Sequence, residues 1–234
     1  MSDLLINMLK PAAGLALGTA AGCFLPQAIK KIVEYKCRKK GRQLPENMDD
    51  RKTKIVIIAA DALLCAGACA VMKPLEAVMA MGLIQLAIIC SLVDRYIRII
   101  ANETVIAILL VGIGYRLAAG GPESLLVSLG ALGIVILIFG GCAAIMMFRK
   151  GMPGIGAGDL KYAMACAVAV GWPDILYFFG GMAAALLVYC AAIGMKNKKL
   201  DMNSSFPMCM QLSVGLVCGL IVPHIGALTP LTGV

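Results

Sequence analysis

The sequence predicts an all-α, polytopic membrane protein of about eight transmembrane helices with both termini outside, and three observations carry that expectation. Hydrophobic residues make up 61% of the 234 and charged residues only 15%, against an apolar share of about 45 to 50% in soluble domains. The mean hydropathy is +0.91. The apolar residues gather in runs of the length that crosses a bilayer, about 20 residues as helix. Little chain is left between the runs for a soluble domain, so residues 1–234 read as a single integral membrane domain.

The first run covers residues 4–25. Lys10-Pro11 interrupts it, and Gly14, Gly18 and Gly22 then recur every four residues, which lines one helix face with glycine and lets a neighbouring helix approach closely. It lacks the basic stretch that precedes the apolar core of a cleaved signal peptide, so it reads as a retained span. Residues 30–54 are basic and polar, with Lys36, Arg38, Lys39, Lys40, Arg42, Arg51 and Lys52 among them, and read as a cytoplasmic loop. Spans follow at 55–72, 75–92, 104–117 and 125–147. A glycine-rich run from Met152 to Tyr162 then leads into spans at 159–170, 175–195 and 208–228.

The net charge of +8 is a matter of topology before it is one of partners. Basic residues accumulate on the cytoplasmic side of membrane proteins. With eight crossings, all of the 21 lysines and arginines except Lys10, Lys73 and Arg116 fall on one face. Adding or removing one span would scramble that asymmetry. No nucleic-acid partner is implied, and membrane lipid is the expected neighbour. The ten cysteines show no CxxC spacing and mostly fall inside apolar runs, so they read as small packing residues.

Two carboxylates stand out by position. Asp94 closes the third span in Val93-Asp94-Arg95, and Asp159 opens the sixth after Gly156-Ala157-Gly158. The charge pattern sets both at the cytoplasmic rim. Two carboxylates at one depth are the parts of an aspartic dyad, in which like charges a few ångströms apart cannot both ionise, so they share a proton and can work as acid and base on a water. The plainer alternative is a helix cap, or a partner for Arg95 or Lys161. Asp61 lies deeper, within the second span, where a buried carboxylate needs a partner or a proton, and reads as structural or pocket-lining. A transporter using the same aspartates for ions or protons is the alternative from another class; it predicts an internal repeat, and none is visible between the halves.

Gly156-Ala157-Gly158-Asp159-Leu160-Lys161 resembles the GxGDxK motif of the type IV prepilin peptidases. Asp94 to Asn102 looks like that family's first catalytic aspartate, a basic stretch and an Ile-Pro-Asn element, with Ala101 in the usual proline position. Gly22-Cys23-Phe24-Leu25-Pro26 and Ser205-Phe206-Pro207-Met208 are similar to two further family segments. The resemblance implies a membrane aspartic endopeptidase that removes the basic leader from type IV prepilins or pseudopilins. It implies a multi-pass protein of the bacterial inner membrane with a cytoplasmic active site. Asp94 and Asp159 would be catalytic, and Gly156, Gly158, Lys161 and Asn102 would form the substrate-binding or active-site loop.

Bifunctional members carry a zinc-binding CxxC pair in the first cytoplasmic loop and also N-methylate the product. Here that region holds only Cys37, whereas a tetrahedral structural zinc takes four ligands. No metal and no cofactor are expected, with S-adenosylmethionine implied only if methyl transfer is retained.

Overall fold

The computed structural model describes residues 2–45, 48, 50–150, 156–197 and 208–228. Every regular element among them is helical. In chain order they are α1 (Ser2–Lys40), α2 (Arg51–Val71), α3 (Pro74–Ile97), α4 (Asn102–Val135), a π-helical turn (Ile136–Gly140), α5 (Gly141–Lys150), α6 (Ala157–Val170), α7 (Ile175–Asn197) and α8 (Met208–Leu228).

The first helix differs from expectation. It carries Pro11 and Pro26 within it and runs on to Lys40, so residues 30–40, expected as part of the basic loop at 30–54, are helical. Lys, Arg and Glu are good helix formers, and Arg38, Lys39 and Lys40 in the last turn complement the negative end of the helix dipole. Gly41 then takes the left-handed conformation with φ 61°, the geometry that ends a helix most cheaply at glycine. The next helix begins at Arg51, and Asp50 caps α2 by accepting the Lys52 backbone N–H at 3.2 Å.

The glycine face of α1 packs on α2. A Cβ placed on Gly14 would lie 2.6 Å from the Cys65 carbonyl oxygen, and one on Gly18 would lie 2.8 Å from the Ala62 Cα. Only glycine allows this approach, as the four-residue spacing predicts.

The spans expected at 104–117 and 125–147 belong to one long helical stretch broken at Gly120 and Gly121, where Gly121 adopts φ 65°, ψ −163° ahead of Pro122. Ser124 Oγ donates to the Arg116 carbonyl at 2.6 Å. Residues eight apart in an unbroken helix are about 12 Å apart, so the chain doubles back at the glycine pair. Arg116 secures the turn, donating from Nη1 to the Val170 carbonyl at the end of α6 at 2.9 Å.

By length and composition six helical stretches can cross a membrane, with Asn102–Arg149 counted as one. The protein is a membrane protein. The 14 residues of α6 span about 21 Å, less than the roughly 30 Å hydrocarbon core. This short helix forms the centre of the bundle. Tyr162, Ala163, Cys166, Ala167 and Ala169 are fully buried, and the small residues among them let α4 approach, so that a Cβ on Gly112 would meet the Ala169 Cβ at 2.7 Å. All ten cysteines are free, several of them deep in this packing.

Candidate active site

Asp94 sits in the last turn of α3. The helix ends one turn later at Arg98, a left-handed residue with φ 50° whose backbone N–H bonds the Asp94 carbonyl at 2.8 Å. Its neighbours Val93 and Ile97 pack with Leu25, Ile29 and Val33 of α1, which anchors that turn. Asp94 is only 7% exposed. It accepts the backbone N–H of Cys209 and stands within electrostatic reach of Arg98. Cys209 is in the first turn of α8, where N–H groups have no partner within their own helix, so α8 is drawn to the aspartate. The second oxygen, Oδ2, is buried and has no hydrogen-bond partner among the described residues.

Asp159 is the third residue of α6. Gly156 takes the N-cap position in extended conformation, and the Asp159 carboxylate turns back onto the Gly156 backbone N–H, the return half of a capping box. Both flanking glycines answer close approaches. A Cβ on Gly156 would lie 2.8 Å from Asp159 Oδ2, and one on Gly158 would lie 3.3 Å from the Ile100 Cβ in the α3–α4 connection. Asp94 stands within electrostatic reach of Asp159, so two residues 65 apart in sequence share one end of the bundle. The earlier part of the glycine-rich run, residues 151–155, lies outside the described residues, as does the Ser205-Phe206-Pro207 segment.

Lys161 and Asn102 come together as well. Both line a groove of about 410 Å³ between α4 and α6, whose other walls include Val105, Leu109 and Met164. Asn102 and Lys161 are the polar residues of an otherwise mostly apolar lining.

Asp61 is placed apart from the pair. It is ten residues into α2, about 15 Å from that helix's start, whereas Asp94 is three residues, about 5 Å, from the end of α3. Since α2 and α3 form a hairpin with a two-residue connection, those two ends share a face and the carboxylates differ in depth. Asp61 is fully buried against α1, with Cys65 Sγ donating to its Oδ1 at 3.4 Å. Cys37, the lone cysteine of the basic region, is buried in the cluster formed by Ile29, Val33 and Val93.

The sequence reading missed a connection one turn below the aspartates. Tyr162 Oη lies 2.6 Å from Ser213 Oγ, and Ser91 Oγ donates to Ser213 Oγ at 2.7 Å. Tyr162 is three residues after Asp159 and Ser91 three before Asp94, so each shares a helix face with its aspartate. Ser213 of α8 bridges them. That i, i+3 spacing was the available signal, but nothing in the sequence names Ser213 as the bridge.

Residues 81–195 match the model of the type IV leader peptidase family. The match over this segment supports a prepilin peptidase-type assignment. The matched stretch begins in α3 and ends in α7, and it contains Asp94, Asn102, Gly156, Gly158, Asp159 and Lys161. No curated protein and no solved structure matches the chain. The match supports a type IV leader peptidase-like function, which implies peptidase activity on a protein substrate, and it lends nothing to the transporter reading.

Proposed function

We propose that this type IV leader peptidase-like protein is an aspartic endopeptidase in which Asp94 and Asp159 cut the basic leader from a prepilin or pseudopilin at the cytoplasmic face of a bacterial inner membrane. The observation that carries the reading is that these two carboxylates, at the end of α3 and the start of α6, lie within electrostatic reach of each other. One proton shared by the pair leaves one carboxylate as base and the other as acid. The base takes a proton from water, the water oxygen attacks the scissile carbonyl, and protonation of the departing amine releases the mature protein. The substrate's polar leader side meets Gly156, Gly158, Lys161 and Asn102, and its apolar helix continues along the bundle.

The topology we propose has eight crossings with both termini outside. The turn at Gly120 and Gly121 divides the 48-residue stretch into two limbs, and α6 is a shortened crossing shielded by its neighbours. The asymmetry of the 21 basic residues supports the same arrangement. No metal or cofactor enters the mechanism, and methyl transfer from S-adenosylmethionine would be a separate activity.

Co-expression with a candidate prepilin tests the reading through the leader-sized mobility shift. Asp94→Ala and Asp159→Ala should each lower cleavage about a thousandfold or more, while Asp61→Ala should still cleave. Cleavage retained without Asp159 ends the proposal. Mass spectrometry of the mature amino terminus reads methylation independently.

A further inference from the structure

On the side of the bundle away from the Lys161 groove, α2, α3 and α8 leave a second cleft of about 340 Å³. Ala60 and Leu64 of α2, Ile84 and Ile88 of α3, and Val214 and Val217 of α8 form its walls, and Arg95 closes its upper end. Along α3 the lining runs from Ile84 to Arg95, eleven residues or about 16 Å. The cleft is therefore long, narrow and apolar, with a cation at one end.

Its volume selects the occupant. A helix about 10 Å across and about 16 Å long occupies more than about 1,200 Å³, several times this space. A single extended hydrocarbon chain fits it. The charge selects the head group. Arg95 is exposed at the mouth, and the exposed Arg51 and Lys52 open α2 one turn beyond Val56, another lining residue. Basic residues at the membrane boundary attract anionic lipid.

We infer that the cleft between α2, α3 and α8 is a binding site for one anionic phospholipid, with an acyl chain along Leu64, Ile84 and Val217 and the phosphate at Arg95. The chain would lie against Ser91 and Ser213, which also line the cleft. These are two of the residues that join the aspartate-bearing helices, so the lipid completes the packing behind Asp94. The site stands independently of the proposed peptidase activity.

The test uses purified full-length protein in neutral detergent with phosphatidylglycerol, phosphatidylcholine or inorganic phosphate added, read by native mass spectrometry and by thermal melting. Wild type should retain one phosphatidylglycerol about fivefold more than phosphatidylcholine, the preference one basic contact supplies. Arg95→Ala should abolish that preference, and Ala60→Phe, which fills the cleft, should reduce retention of both lipids. Equal retention of the two lipids by wild type overturns the inference, as does full phosphatidylglycerol retention in both variants. An upward shift in melting temperature with inorganic phosphate equal to that with phosphatidylglycerol also overturns it. All readouts are free of cleavage, so an inactive protein that binds the lipid leaves the site standing.

Discussion

Replacing Gly156 by alanine should disable the active site while leaving the fold intact. The added Cβ would stand 2.8 Å from Asp159 Oδ2. Comfortable contacts of this kind begin at about 3.5 Å, so the carboxylate must retreat by about 0.7 Å. Gly156 has φ −65° and ψ 139°, which alanine adopts without strain, and the exchange at an N-cap costs about 1 kcal/mol at most. For a protein of this size that lowers the melting temperature by about 2 to 4 °C. Active-site groups need to be held within about 0.5 Å, and a 1 Å misplacement can cost about a hundredfold in rate. Gly156→Ala should therefore lower kcat on a prepilin by about ten- to a hundredfold. Steady-state cleavage in detergent, beside a thermal melt, measures both numbers. A Gly156→Ala protein that turns over like wild type would refute the argument that the first glycine of the motif exists to seat the Asp159 carboxylate.

Three further variants probe the contacts between the helices. Tyr162→Phe removes the contact at 2.6 Å to Ser213 at a stability cost of about 1 kcal/mol; because Tyr162 positions Asp159 without touching substrate, kcat should fall about tenfold with KM nearly unchanged, and a change in KM alone would contradict that role. Gly18→Val drives a side chain into the Ala62 backbone 2.8 Å away and should destabilise the α1–α2 contact by roughly 1 to 3 kcal/mol, whereas Gly67→Ala, with open space around it, should be neutral or slightly stabilising in the melt.

Much of the fold was legible because a bilayer enforces simple rules. Apolar runs must be helical, so α2, α3, α7 and α8 could be located to within a few residues. Gly14, Gly18 and Gly22 announced a close helix contact through spacing alone. The stop of α1 was less legible, because Lys and Arg promote both helix and water exposure, and the pattern 30–40 does not say which property dominates. The turn at Gly120 and Gly121 was visible as a gap between apolar runs, but its sharpness depends on Arg116 reaching the Val170 carbonyl of another helix.

By itself the sequence determined a helical membrane protein, the two aspartates worth naming, and the glycine motif with its family resemblance, since each of these depends on composition or local spacing. Only the tertiary structure decided what stands next to what. It brought the charge of Asp94 to bear on Asp159, set the α8 N-terminus on Asp94, joined the two helices through Ser213, and left Asp61 at another depth. The physical reason is that which face one helix turns to another depends on how side chains far apart in the chain pack, and no local pattern encodes that.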